Sequence, residues 1–255
     1  MKKLKDIFLL ARKTVLDPSG AAADLLAPGA GLGGPLAIYL VYCAAYALFL
    51  YMKPADFPAE LAQAGLEFSG RSYAWFFSVL TASELVFTGV FCAVFSAFSG
   101  LMKDGRLAFR FFLGCLICGS CAAAAFHFRS APLFSLPFLA AVIAAAGAGV
   151  YAQKAAAAAF FRFSLSCNAV VLICLPVSFL AAALRSETLY LAAEAAAGLW
   201  LTVLVIKAAK ILFGGTIARI APVLLFSFLT SILSFYVLRN LGVITPEIFK
   251  FMLFM

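Results

Sequence analysis

Seven long apolar runs constrain this chain more than any other feature of its sequence. They cover residues 35–52, 73–102, 111–128, 132–152, 163–184, 189–206 and 217–238. A helix of about 20 apolar residues matches the ~30 Å hydrocarbon core of a bilayer, and it satisfies its backbone hydrogen bonds internally, as lipid requires. The sequence therefore predicts an all-α, polytopic transmembrane helical bundle of about seven spans, within a range of five to seven.

The composition agrees with this fold class and excludes others. Of 255 residues, 65% are apolar and only 12% are charged, whereas soluble domains are about half apolar and about a quarter charged. A water-soluble enzyme and a disordered chain are thereby excluded. The net charge of +8 is spread over short gaps between the apolar runs. That distribution disfavours nucleic acid as a partner and favours anionic lipid.

Residues 1–34 are predicted to form a cytoplasmic segment that begins with an amphipathic helix lying on the membrane. Apolar residues recur at helical spacing from Leu4 to Val15, as in interfacial helices. Pro18 ends this helix. A second short segment, residues 21–27, precedes a Gly/Pro-rich stretch that ends at Pro35 and cannot continue a helix. The basic residues expected to contact anionic lipid are Lys2, Lys3, Lys5, Arg12 and Lys13.

The distribution of positive charge predicts the orientation of the chain. With the N-terminus in the cytoplasm and seven spans, about two thirds of the Lys and Arg residues fall on the cytoplasmic side, as the positive-inside rule expects. The C-terminus is then on the opposite side. The corresponding division is a cytoplasmic segment (1–34), a transmembrane domain (35–238) and a short tail (239–255).

Stripes of small residues predict where helices pack closely, since lipid provides no hydrophobic force between helices. The second span offers Gly89, Ala93 and Ala97, and the third offers Gly114 and Cys118. We favour packing within one chain. Packing between copies, as in a homo-oligomer, stays an alternative.

Cys118 also belongs to the pattern Cys115-x-x-Cys118-x-x-Cys121, which resembles part of an iron–sulfur run. A cluster normally needs four cysteine ligands, and these three lie inside an apolar helix, where cysteine behaves as a small apolar residue. We therefore expect no metal site, no cofactor and no disulfide framework.

Glu84 is the most informative single residue, because a carboxyl within a span is costly and often functional. Counted from Lys103, it lies about 28 Å from the cytoplasmic end of its helix. His127 lies about 26 Å beyond Arg110. The two side chains are thus predicted to lie at similar depth near the outer surface, where they can pair. The alternative is that both simply reach the outer headgroups.

Motifs of common enzymes are missing. The single histidine excludes the His-x-x-x-His pair of a zinc protease, and there is no phosphate-binding Gly-rich loop with lysine or Gly-x-Ser-x-Gly turn. The sequence predicts that the protein is not an enzyme.

Several short motifs are shared with a known family. Asp17-Pro18 is followed by a short helix, and Gly33-Gly34-Pro35-Leu36 leads into the first span. Farther along are Arg162 at the mouth of a span, Leu175-Pro176, Leu199-Trp200 and Gly214-Gly215. In these features, which cover a little over half of the chain, the sequence resembles the Yip family, the Ypt/Rab-interacting integral membrane proteins.

The resemblance implies a cytoplasmic N-terminus, an odd number of spans (typically five) and no catalysis. Eukaryotic members associate with prenylated Rab GTPases in endoplasmic reticulum and Golgi traffic. Here the acidic-Leu-Tyr-Gly-Pro entry motif is reduced to Gly31-Leu32-Gly33-Gly34-Pro35, and there is an extra hairpin. A divergent bacterial-type member in the inner membrane fits both departures, whereas a eukaryotic member implies the endoplasmic reticulum or Golgi.

The leading hypothesis is a non-enzymatic membrane protein that organises the bilayer or partner proteins through its basic cytoplasmic face. One rival is a small transporter or permease that uses Glu84 and His127. Another is an accessory subunit of a membrane complex, packed through the small-residue stripes.

Overall fold

The computed structural model describes residues 2–58, 70–101 and 107–253, and these residues form helices and no strands. The predicted all-α fold class is confirmed. The helices are α1 (Lys2–Leu16), α2 (Pro18–Leu26), α3 (Gly33–Met52), α4 (Tyr73–Leu101), α5 (Leu107–His127), α6 (Leu136–Ala152), α7 (Lys154–Ala183), α8 (Glu187–Phe213), α9 (Ile217–Asn240) and α10 (Pro246–Leu253). Short 3-10 turns, Phe128–Ser130 and Pro132–Ser135, connect α5 to α6.

Seven helical segments are long and apolar enough to cross a membrane, as the sequence predicts. They are Gly33–Met52, Tyr73–Gly100, Phe111–Ser130, Pro132–Ala152, Lys154–Ala183, Glu187–Phe213 and Ile217–Asn240. The protein is therefore an integral membrane protein with seven candidate transmembrane helices. The domain boundaries after residues 34 and 238 stay predictions. The sides of the membrane on which the N- and C-termini lie also stay predictions.

The largest difference between predicted and observed spans is at the start of α7. The sequence places this start at Phe163, because Lys154 and Arg162 look like interfacial residues. The helix in fact begins at Lys154, since the intervening alanines are the best helix formers. Arg162 remains inside the helix, and its guanidinium donates a hydrogen bond to the carbonyl of Ala30.

The residues form two compact units. Unit 1 comprises Met1–Glu84 and Arg162–Ala208, and unit 2 comprises Leu85–Phe161 and Ala209–Met255. Helices α4, α7 and α8 contribute residues to both units.

In unit 1, the N-terminal helices are folded onto the start of the first span. Thr14 and Val15 of α1 are buried, and α1 packs against α2 and α3. Asp17 caps α2, because its carboxylate accepts a hydrogen bond from the Gly20 amide at 3.0 Å. Lys13 forms an ion pair with Asp24 at 2.5 Å. The amphipathic segment is therefore anchored to the first span rather than tethered to it by a free linker.

In unit 2, α5 and α9 make the most extensive helix pair. A Cβ atom built on Gly114 would lie 2.4 Å from the Phe226 ring, so the ring occupies the space that a side chain would need. Four residues later, the Cys118 thiol is 3.4 Å from the Thr230 hydroxyl. Near the other end of α9, the Asn240 amide donates to the Ala125 carbonyl at 3.0 Å. Close packing and polar contacts thus hold the two helices together.

This packing predicts that Gly114→Leu destabilises unit 2. The new side chain overlaps the buried Phe226 ring, and overpacking of this kind costs about 1–3 kcal/mol. Gly119→Leu on the same helix is the matched control, because a Cβ there meets nothing within 4 Å. The free energy of unfolding in bicelles, measured by titration with a denaturing detergent, should fall for Gly114→Leu only. Equal losses in both variants would contradict the prediction.

Candidate intramembrane site

Unit 1 contains a row of aromatic side chains along one face of α3. Tyr39, Tyr42, Tyr46 and Phe49 recur three or four residues apart and are all buried. Consecutive ring centroids are 6.4, 5.6 and 5.8 Å apart. We call these four residues the aromatic ladder. Because they are successive on one helical face, their three hydroxyl groups form a polar line in an otherwise apolar span.

Two of the ladder hydroxyls are bonded to α4. The Tyr42 hydroxyl donates a hydrogen bond to Oε1 of Glu84 at 3.0 Å. The Tyr39 hydroxyl donates to the backbone carbonyl of Thr81 at 2.5 Å. The half-buried Glu84 carboxylate thus receives a donor from the neighbouring helix, which partly compensates the cost of placing it in a span.

The third ladder hydroxyl faces α8. Tyr46 and the buried Tyr190 both pack beside the Phe49 ring, at centroid distances of 5.8 and 6.2 Å, and both tyrosines lie within electrostatic range of the Glu194 carboxyl. Phe49 packs edge-on against Phe179 of α7 at a centroid distance of 5.2 Å. The ladder therefore connects α3 with α4, α7 and α8, and it lies between two carboxyls, Glu84 and Glu194.

The hydrogen bond from Tyr42 sets Glu84 beside the middle of α3. Tyr42 is the tenth of the 20 residues of this helix, whose length of about 30 Å matches the hydrocarbon core of a bilayer. Helix α4 has 29 residues and is about 43 Å long, which is more than that core requires. The depth of Glu84 near the outer surface stays a prediction.

The predicted partner of Glu84 belongs to the other unit. His127 is exposed at the C-terminal end of α5, and its ring centroid is 5.1 Å from that of Phe128. Pairing between Glu84 and His127 stays a prediction.

The residues of the predicted packing stripe on α4 differ in their surroundings. A Cβ on Gly89 would meet nothing within 4 Å, whereas Ala97 lies so close to α6 that a Cβ on Gly149 would be 2.5 Å from its Cα. Ala93, between them, is half-buried. The structure thus places a close helix contact at Ala97.

The basic residues of α1 have different environments. Lys5 and Arg12 are exposed, whereas Lys13 is half-buried in its ion pair with Asp24. Lys2 and Lys3 begin the helix, but their side chains lie outside the described residues.

The loop that follows α3 closes the Glu194 end of the ladder. The Lys53 ammonium donates to the Phe57 carbonyl at 2.6 Å, and the buried Phe57 ring packs edge-on against Tyr190. Burial lowers the pKa of Lys53, and the nearby Asp56 partly offsets this shift. Asp56 also forms an ion pair with Arg185 at 3.1 Å. The loop therefore contacts Tyr190 of α8 and the turn between α7 and α8.

Within the described part of the chain, no group of three or more His, Cys, Asp or Glu side chains is arranged to hold a metal ion. Cys115 is exposed, whereas Cys118 and Cys121 are buried.

Sequence reasoning singled out Glu84 but missed the residues around it. Glu194 lies near the start of its apolar run, where a carboxyl is ordinarily expected to meet water, and tyrosines in a span do not stand out from its other apolar residues. The available signal was the spacing of Tyr39, Tyr42 and Tyr46, which places three hydroxyl groups on one helical face.

Comparisons with family models, with curated proteins and with solved structures find no match for this chain.

Proposed function

We propose that this integral membrane protein is non-enzymatic, of the Yip type, and organises the membrane or partner proteins through a basic cytoplasmic face that includes α1. The observation that carries the proposal is the outer surface of α1, the first helix and one that is not among the candidate spans. The sequence motifs of the chain support the Yip-type assignment, and the distribution of Lys and Arg along the chain supports a cytoplasmic N-terminus.

Large apolar side chains are exposed on α1. Leu4 and Phe8 are each 73% exposed, and Leu16 is 69% exposed, although the helix is folded onto the protein by its other face. Apolar surface of this kind on a helix too polar to span is typical of interfacial helices, which insert one face at the headgroup boundary. Phe8 and its neighbours are therefore the residues that we expect to enter the lipid.

The exposed charges of α1 favour anionic lipid. Lys5 and Arg12 lie on the accessible side of the helix, whereas the Lys13 ammonium already has Asp24 as its partner. A basic residue near an anionic surface contributes about 1 kcal/mol, so Lys5 and Arg12 are the described residues with the largest expected contribution. This attraction should weaken in salt, because the Debye length at 0.15 M is about 8 Å.

The proposal predicts that anionic lipid protects α1 in the full-length protein. Amide hydrogen exchange over residues 4–16 should slow in nanodiscs that contain phosphatidylserine, relative to phosphatidylcholine alone. The double variant Lys5→Gln with Arg12→Gln should remove most of this difference in exchange rate. The two charges together strengthen contact with anionic lipid by a factor of about 25 at most. Phe8→Asp should raise exchange in both lipids.

Lys207→Gln with Lys210→Gln is the matched control, because these lysines are exposed but lie on α8. It should leave exchange in α1 unchanged. Exchange in α1 that does not depend on lipid charge at low salt would refute the lipid-contact proposal.

A further inference from the structure

We propose that Glu84 is a reversible proton-binding site beside the middle of α3, and that Tyr42, Tyr46, Tyr190 and Glu194 connect it to the end of unit 1 where α8 begins. The inference does not depend on lipid contact by α1. Proton binding at Glu84 would also provide the coupling ion that a transporter function requires.

The first argument is the charge balance around Glu84. The groups that face it from α3 are the hydroxyls of Tyr42 and Tyr46 and the thiol of Cys43, all of which are uncharged in their ordinary acid forms. In the described part of unit 1, no Lys or Arg pairs with it. A carboxylate beside the middle of a span with no countercharge is expensive, and uptake of one proton removes that charge.

The second argument is a polar group that can accompany a change of protonation. Among the described residues, the buried Thr81 hydroxyl oxygen has no hydrogen-bond partner. Thr81 and Glu84 are three residues apart on α4, which places them on the same face. The hydroxyl can donate a hydrogen bond to the Glu84 carboxylate or accept one from the protonated acid, so it offers a partner to both forms.

The third argument is the hydroxyl chain. A proton that arrives at Glu194 passes to Tyr46 directly or through Tyr190, which lies within electrostatic range of Glu194 and, like Tyr46, packs beside the Phe49 ring. Tyr46 then passes a hydroxyl proton toward Tyr42, whose ring centroid is 5.6 Å away, by hydroxyl rotation or through one water molecule. Tyr42 gives its proton to Oε1 of Glu84 and takes the incoming one. Each tyrosine ends neutral, and the net change is Glu84 carboxylate to carboxylic acid.

The test uses the full-length protein in lipid vesicles and infrared difference spectra between acidic and neutral pH. A C=O band of a protonated, buried carboxylic acid should be present in the wild type and in Glu187→Gln, a control that removes an exposed carboxyl from the start of α8. In a Glu194→Gln background, which removes the other part-buried carboxyl of the route, it should be absent in Glu84→Gln. Tyr42→Phe, which keeps the carboxyl, should shift the band.

The route is tested by the rate at which this band appears after a pH jump. Tyr46→Phe removes one proton-transfer group. The rate at which the band appears should therefore fall by a factor on the order of a hundred, while the final amplitude of the band stays the same. Retention of the band in Glu84→Gln with Glu194→Gln, or no shift in Tyr42→Phe, would overturn the site. An unchanged rate in Tyr46→Phe would overturn the route. None of these readouts involves α1, so their failure is distinguishable from failure of the lipid-contact proposal.

Discussion

Replacing Gly149 by leucine is expected to separate α6 from α4 in unit 2. A Cβ atom at this position would be 2.5 Å from both the Cα and the backbone nitrogen of Ala97. Backbone atoms cannot rotate away as the end of a side chain can, so the helices must move apart. Overpacking costs about 1–3 kcal/mol, and we expect this variant to reach the upper end of that range.

The loss should be large because α6 has few other buried contacts. Ala146 is the one buried residue of α6. The Gln153 amide, which follows α6, donates to the Ser96 carbonyl at 3.3 Å, and that contact requires the same close approach. Cross-linking by a short bifunctional reagent between cysteines introduced at Ser99 and Gln153, whose side chains are 3.4 Å apart, should be efficient in a background without the native cysteines and lost after Gly149→Leu.

Gly147→Leu is the matched control for this experiment. Gly147 lies on the same helix, and a Cβ there meets nothing within 4 Å. Cross-linking and the free energy of unfolding should both be unchanged in this variant. Gly149→Ala should give an intermediate loss, since it adds the overlapping Cβ but no longer side chain. Unchanged cross-linking in Gly149→Leu would mean that α6 and α4 do not pack as described.

The sequence predicts the spans of this chain better than their contacts. A run of apolar residues must be a helix in lipid, which is why seven runs sufficed for the fold class. Lipid is as apolar as leucine, however, so hydrophobicity does not distinguish the buried face of a span from its lipid-facing side. The small-residue stripe on α4 illustrates this. Gly89 and Ala97 are both small residues of the same stripe, but α6 packs closely at Ala97, whereas a Cβ on Gly89 would meet nothing within 4 Å.

The candidate site was only partly predictable for the same reason. An acidic residue in a span stands out, and Glu84 was found from that fact alone. Its hydrogen bond with Tyr42 joins residues 42 positions apart, and neither periodicity nor composition specifies such a pairing. A count along α4 does not fix the depth of Glu84 either, because this helix of 29 residues is longer than the hydrocarbon core requires.

Phe49→Ala is expected to destabilise unit 1 more than any other single truncation in the ladder. Its ring is fully buried and packs against Phe179 of α7 and Tyr190 of α8, at centroid distances of 5.2 and 6.2 Å. In a soluble core, Phe→Ala costs about 3–5 kcal/mol. Part of that cost is the free energy of transferring the side chain from water to the core. This part is absent here, because the span remains in lipid when the protein unfolds. We therefore expect a loss of about 2–3 kcal/mol, from the cavity and the lost ring contacts.

Leu48→Ala is the control, because Leu48 is the preceding residue of α3 and is 43% exposed. Lipid chains can fill the space that its side chain leaves, so its effect on the unfolding free energy in bicelles should be small. Equal losses at Phe49 and Leu48 would show that the ladder does not form the packed face of α3.

Phe49→Ala also connects stability with the proton route. The phenylalanine is stacked on Tyr190 and packs beside Tyr46, the two tyrosines that link Glu194 to the ladder. Its removal should loosen this pair and slow the appearance of the Glu84 carboxylic-acid band, but it leaves the Tyr42–Glu84 hydrogen bond and the band amplitude intact. A reduced amplitude with an unchanged rate would instead mean that Phe49 supports Glu84 directly, and that protons reach it by a path other than Tyr46 and Tyr190.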